Sequence, residues 1–394
     1  MILDGGMGTL LHAQGLTAGA PPERWNITRP DVIIGIHCAY VQAGAQVITT
    51  NTFGANRLRY PNDLWDIIFA AVGNARQAIG GADVKIALDV GPTGKLLAPM
   101  GSLAFEEAVS LFRQVGELGV QAGADLFLVE TMTDLTELRA AVVGLKEAAN
   151  LPIFATFSVE QNGRLLTGAP VETAAVMLQG LGVAALGVNC GAGPECAVSV
   201  LQQLRTATTL PLIAQPNAGL PVVRDGQTCF DLSPEDFARG QLENYRIGAT
   251  MLGGCCGTTP EHIATMAKLI ETTQPVQANP SLLKSICGSR DIVCLPCEVT
   301  EIDMANCEDI EDLIDEMLDF DQTLVPKLNI DQIKNPAQAI AEIQQQVWRP
   351  LCFASADISK LERALRVYTG RALVEFHGAG DIRPLLQLYG GEFV

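Results

Sequence analysis

Positive charge and histidine are what this sequence has least of. Lys and Arg total 26 against 44 Asp and Glu, a formal charge of -18, and a chain of that sign repels nucleic acid and anionic lipid. Neither is expected as a partner. His12, His37, His262 and His377 are too few and too scattered to build a histidine metal site, and His37, in an apolar helical stretch, reads as packing. No Gly-x-Ser-x-Gly elbow is present for a hydrolase. The one near-match to a phosphate loop, Gly91-Pro92-Thr93-Gly94-Lys95, fails twice, because Asp89 stands at the first required glycine and Leu96 at the Ser/Thr. No run approaches the ~18 apolar residues of a membrane span. Met1-Ile2-Leu3-Asp4 lacks a basic segment followed by an apolar one, so a cytoplasmic location is expected.

What is present begins with a hydrophobic content of 48% in 394 residues, more than one core usually holds, so two domains are expected. Strand-like runs near Ile2 to Asp4, Val47 to Thr50, Val84 to Asp89, Leu126 to Glu130, Ile153 to Phe157, Ala185 to Asn189, Leu212 to Gln215 and Ile247 to Leu252 are separated by helix-length amphipathic stretches. In one of these, Phe105 to Gln121, apolar residues recur at helical spacing. Eight such units predict an α/β chain that opens with a (β/α)₈ TIM barrel, with a doubly wound open sheet as the rival. The unusual residues favour the barrel. Asp4-Gly5-Gly6, Asn51, Asp89, Glu130, Cys190, Asn217 and Cys255-Cys256 all fall at the ends of different strands, which in a barrel form one rim, where barrel enzymes place their chemistry.

Eleven cysteines, an odd number in a chain with no secretion signal, point to reduced thiols. Cys190 in Val188-Asn189-Cys190-Gly191, and the pair in Gly253-Gly254-Cys255-Cys256-Gly257, each follow an apolar strand-like run and sit in a glycine-rich turn. Three soft thiolates suit zinc, and three protein ligands leave the fourth tetrahedral position open, as catalytic sites do. The competing reading is that these cysteines are small buried apolar residues. Three thiolates on a dication carry a net charge of -1, which keeps a further bound sulfur electron-rich and suits alkyl transfer to a thiol better than hydrolysis.

Asp4-Gly5-Gly6-Met7-Gly8-Thr9, Thr50-Asn51-Thr52-Phe53, Gly91-Pro92-Thr93-Gly94, Glu130-Thr131, Asn189-Cys190, Pro216-Asn217-Ala218-Gly219-Leu220-Pro221 and Gly253-Gly254-Cys255-Cys256-Gly257-Thr258-Thr259-Pro260 together resemble, in order, the homocysteine-binding barrel of the homocysteine S-methyltransferase family. The Gly91-Gly94 turn and the helix start at Phe105-Glu106-Glu107-Ala108 are most similar to the cobalamin-dependent methionine synthase branch. The resemblance implies a zinc enzyme that methylates the homocysteine thiolate to methionine. Cys190, Cys255 and Cys256 would hold the metal and Glu130 would pair with the substrate ammonium. Asp4 with the Gly5-Gly6 turn suits the amino acid's charged end. Asn51, Asn189 and Asn217 either join them or bond their own turns, and Asp89 reads as a cap. The expected donor is methylcobalamin on a separate corrinoid protein. S-methylmethionine or a betaine as donor, and a non-catalytic zinc-binding partner subunit, are the alternatives; composition leaves the oligomeric state open.

The barrel is expected over residues 1-272, a proline-bounded linker over 273-283, and a small α/β domain over 284-394. In the last, strands near Ile292 to Leu295, Leu324 to Leu328, Leu351 to Ala354 and Ala372 to Phe376 alternate with helices, a truncated pterin-barrel-like or docking domain. Cys287, Cys294, Cys297 and Cys307 offer a second zinc site or packing, with packing preferred because a strand runs between them. Glu375-Phe376-His377-Gly378-Ala379-Gly380 nearly matches the cobalt-ligating Asp-x-His-x-x-Gly loop of corrinoid proteins, but Glu replaces Asp and too few residues follow. No cobalt ligand is expected there.

Overall fold

The structure is a computed structural model that describes all residues except 161-162, 225-226, 272, 275-279, 283, 305-306 and 308. Much of the expected linker over 273-283 therefore lies outside the described residues. The chain divides into two compact units. The first comprises residues 1-166, 184-205 and 210-279, and the second residues 167-183, 206-209 and 280-394.

In the first unit, β1 (Val47–Thr49), β2 (Lys85–Val90), β3 (Leu126–Met132), β4 (Ile153–Phe157), β5 (Ala185–Cys190), β6 (Leu212–Pro216) and, after the antiparallel hairpin of β7 (Val222–Arg224) and β8 (Gln227–Cys229), β9 (Ala249–Leu252) are present. The strands β1 to β6 and then β9 make one curled parallel sheet of seven strands. The expected eighth strand at the N-terminus is reduced to Ile2, which bridges Leu252 on β9, and Leu3, which bridges Val47 on β1, so the ring closes through two residues. Each of the eight stations contributes to one interior layer: Leu3, Val47, Ala87, Leu126 with Leu128, Phe154, Ala185, Ile213 and Met251 are all buried. That filled interior is the TIM-barrel arrangement of the sequence expectation, and it leaves the strand ends free for chemistry.

The helices obey the periodicity that predicted them. Phe105–Ala122 buries Ala108, Val109, Leu111, Phe112, Val115, Gly116 and Gly119 and ends at Gly123, in the left-handed cap conformation. Leu135–Ala148 starts where Asp134 accepts a hydrogen bond from the Glu137 N–H, satisfying a donor that the first turn leaves open.

The second unit carries an antiparallel hairpin, β10 (Ser285–Cys287) with β11 (Ile292–Cys294), and a parallel five-stranded sheet in the order β12 (Val299–Glu301), β13 (Val325–Asn329), β14 (Cys352–Ser355), β15 (Leu373–Phe376) and β16 (Glu392–Phe393). The run at Ile292, expected as the first parallel strand, instead folds back on β10. The helix Val171–Gly180 belongs to this unit, where the Cys287 Sγ contacts the Thr173 carbonyl at 3.6 Å. Among the described helices none is long and apolar enough to cross a membrane.

Candidate metal centre and its cavity

The strand ends of the first unit gather around a cavity of about 230 Å³. Cys190 closes β5, and Cys255 and Cys256 follow β9. Their sulfurs lie within 4.8 Å of one another, the one group of three or more metal-capable side chains among the described residues, with Cys190 and Cys255 at 3.4 Å. Sulfurs around a tetrahedral ion with bonds of about 2.3 Å lie roughly 3.8 Å apart, so the triad fits a thiolate-bound metal.

Its protonation supports the same fit. Cys256 is held down at about 3 because Cys190 and Cys255 both donate to its sulfur. Cys190 is drawn down by Cys255, but the contact with Cys256, burial and neighbouring negative charge outweigh this and push it up to about 12. Contacts with Cys190 and Cys256, then burial, push Cys255 well above the ordinary thiol range. These shifts favour ionisation of one thiol over the other two; a dication is the chemical means to ionise all three.

The two ligand loops are tied by one residue. Asn217 donates through Nδ2 to the Gly191 carbonyl at 2.6 Å and accepts from the Cys256 N–H at 3.0 Å. The Gly5-Gly6 turn lines the cavity and is fitted tightly against the pair. A Cβ on Gly6 would stand 2.6 Å from the Cys255 carbonyl oxygen and one on Gly5 2.6 Å from Thr258 Oγ1, and the Gly6 N–H already donates to Thr258 Oγ1 at 3.0 Å. Glycine is needed here for close approach.

The same cavity is lined by Asp4, Asp89, Glu130 and Gln215. Burial is the main cause of the raised carboxyls. Asp4 rises to about 7, opposed by hydrogen bonds from the Thr49 N–H and hydroxyl at 2.7 and 2.8 Å. Glu130 rises to about 8 through burial and then the charges of Asp4 and Cys256. Asp89 is raised well above the ordinary carboxyl range, by burial and then by Glu130 and Asp4. The Oδ1 of Asp89 and the Oε1 of Gln215 are buried with no hydrogen-bond partner. Acceptors crowded around a cavity, without a cation among its lining, call for a ligand that brings donors and positive charge.

The remaining expected site residues are spent on the protein. Asn51 lines the cavity, and its Nδ2 donates to the Pro22 carbonyl at 2.8 Å and to Asn26 Oδ1 at 3.2 Å. Asn189 bonds Thr131 through both ends of its amide. Gln215 belongs to no motif and Asp89 stands in the sequence like a cap; the fold of β2 and β6 brings both to the same cavity. In the second unit Cys287 and Cys352 are buried and Cys294 is exposed, and the His377 Nε2 lies 3.0 Å from Glu375 Oε1.

Residues 1–270 match the family model described as homocysteine S-methyltransferase. A methionine synthase of Mycobacterium tuberculosis is 33% identical over 309 residues, 72% of this chain and 26% of that protein. One of Mycobacterium leprae is 32% identical over 301 residues, 68% of this chain and 24% of that protein. The chain thus spans about a quarter of the length of the curated relatives it matches. Among solved structures, the homocysteine methyltransferase MmuM from Escherichia coli is similar in its metallated form at 26% identity and a TM-score of 0.58, covering 68% of this chain and 95% of that one; its oxidized form gives a TM-score of 0.59. With a matching barrel, a matching family model over two thirds of its length and a thiol triad at the strand ends, the chain belongs to the homocysteine S-methyltransferase family.

Proposed function

We propose that the cavity binds homocysteine and passes a methyl group to its sulfur, giving methionine. The observation that carries this reading is the placement of a thiol triad and three buried carboxyls, with no cation in the lining, around one cavity of about 230 Å³. That volume falls below the ~300–1,000 Å³ of sites for drug-sized ligands and suits a small amino acid. The relatives named methionine synthase and homocysteine methyltransferase support the same substrate.

Glu130, Asp89 and Asp4 would take the ammonium, whose donors would satisfy the open Asp89 Oδ1. Gln215 Oε1 offers a further acceptor. Cys190, Cys255 and Cys256 would hold zinc, whose charge would favour the thiolate form of the homocysteine sulfur, the proton leaving to solvent. The sulfur pair then forms the S–CH₃ bond, and the donor leaves with the electrons of the bond that breaks. Asn217 keeps both ligand loops in register while this happens. These built contacts favour catalysis over a passive zinc-binding subunit. The donor we propose is a methylated corrinoid carried outside the barrel, in keeping with the branch that the Gly91-Gly94 turn resembles.

Supplying the purified full chain with homocysteine and, separately, methylcobalamin, a methylated corrinoid protein, S-methylmethionine and glycine betaine tests both parts. Methionine should form with the corrinoid donors. Turnover with S-methylmethionine or betaine alone replaces the donor, and no methionine from any of them defeats the reading.

A pH dependence follows from the raised carboxyls. An ammonium prefers ionised partners, and the ionised fraction of Asp4 and Glu130 grows as pH rises through about 7 and about 8. Affinity for L-methionine, whose sulfur does not titrate, should therefore strengthen from pH 6 to pH 8, by up to ~10-fold per unit for each proton displaced. Calorimetry in two buffers of different ionisation heat should register proton release. An affinity that is flat over this window would remove the carboxyl wall from the ammonium site.

A further inference from the structure

Two residues other than glycine hold left-handed backbone among the described residues, Thr131 at φ 59° and Cys190 at φ 62°. In this region Cβ crowds the carbonyl, and the conformation persists only where surroundings over-determine it. Both occurrences adjoin the cavity. Thr131 follows Glu130, and Cys190 is itself one of the triad.

One side chain joins them. Asn189, 3% exposed, accepts from the Thr131 N–H through Oδ1 at 2.8 Å and donates through Nδ2 to Thr131 Oγ1 at 2.7 Å. Thr131 lies on β3 and Asn189 on β5, with β4 between them in the sheet order, so the amide links two strands that are not paired with each other. Beneath it the register of β3 against β4 shifts between Val129 and Met132. Such an irregularity re-aims side chains, and Glu130 lies within it. On the far side Asn189 is bonded directly to Cys190, whose neighbour Gly191 is held by Asn217, which also holds the Cys256 N–H. A continuous path therefore runs from Glu130 through Thr131, Asn189 and Cys190 to Asn217 and Cys256.

We propose that Asn189 is a positioning residue that couples the carboxyl end of the cavity to its thiol end, so that filling either end organises the other. The inference rests on the reading of the cavity as a zinc and amino-acid site. Its physical content is that the Thr131 turn, which aims Glu130, is held by the residue next to Cys190. Fixing the Cys190 sulfur fixes that residue's backbone, and the two amide bonds carry the constraint to Glu130. Such coupling is reciprocal in the two binding free energies.

The test measures zinc affinity of the full chain by chelator competition, with and without saturating L-norleucine, which has the ammonium and carboxylate but no sulfur. Norleucine should tighten zinc by about fivefold or more in the wild type, and zinc should tighten norleucine by the same factor. Asn189→Ala should bring that factor close to one, while Thr131→Ser, which keeps both groups that Asn189 bonds, should preserve it. A purely structural role would weaken both affinities and leave the factor standing. Should Asn189→Ala not fold, Thr131→Ala, which removes the hydroxyl with its neighbouring methyl and keeps the N–H, must still lower the factor. An Asn189→Ala chain with the wild-type factor, or a wild type that binds both ligands independently, overturns the coupling and leaves the site reading intact. A wild type that takes up no zinc or no norleucine overturns that reading and the coupling with it.

Discussion

Replacing Cys255 by alanine should lower zinc affinity by more than about 100-fold and abolish methyl transfer, because even residues one step removed from a metal cost 10- to 100-fold when changed. The effect has two parts. One of three sulfurs is lost from a cluster whose members all lie within 4.8 Å. Cys256 also loses one of the two donors that hold its thiolate at about 3, so the charge that first attracts a cation weakens. The barrel itself should survive. Cys255 lies beyond β9, outside the buried interior layer, and its structural tie to Pro216 runs through its backbone N–H at 2.9 Å, which alanine retains. Metal analysis after dialysis against a weak chelator, with circular dichroism as the control on folding, checks both statements. A fully zinc-loaded Cys255→Ala protein would sink the assignment of the metal centre.

Glu130→Gln should cost the amino acid roughly 10- to 100-fold in affinity while leaving zinc in place. A desolvated charge-assisted hydrogen bond contributes ~1.5–3 kcal/mol, and ~1.4 kcal/mol is a factor of ten. The loss has a built-in offset. Burial and then the charge of Glu130 disfavour ionisation of Asp89, so neutralising Glu130 lets Asp89 ionise more readily and take over some of the ammonium. Glu130→Gln combined with Asp89→Asn should therefore lose more than the product of the single effects, and the rise in affinity between pH 6 and pH 8 should flatten. Titration calorimetry with L-methionine on the four proteins measures all of this. Unchanged affinity in the double variant would move ammonium binding away from this wall.

Some of this was written in short stretches of sequence. Alternation of strand and helix is set by local hydrophobic period, and the helix from Phe105 was placed within a residue of its observed end. The opening strand was legible as apolar but not as short. Gly5 and Gly6 must pass under the Cys255 and Thr258 backbone and side chain, and the chain leaves the sheet after two bridging residues. β12 and β16, three and two residues long, are too brief to show a period, and the turn of β11 back onto β10 depends on a pairing that propensity does not encode.

For the site, cysteine chemistry carries its meaning wherever it stands, which is why Cys190, Cys255 and Cys256 stood out from residue type and glycine context alone. An amide or a carboxyl has no such signature, because its role depends on which partner reaches it. Asn189 finds Thr131 58 positions back in the chain, and Asn217 finds Gly191 and Cys256 26 positions before and 39 after it. The sequence by itself determined that this chain makes a strand–helix barrel with soft-metal chemistry at its strand ends. Only the tertiary structure decided that Asp89 and Gln215 face the same cavity as the sulfurs and that the asparagines hold the strand ends in place, because closing the ring is what sets those groups within 3 Å of their partners or leaves them without one.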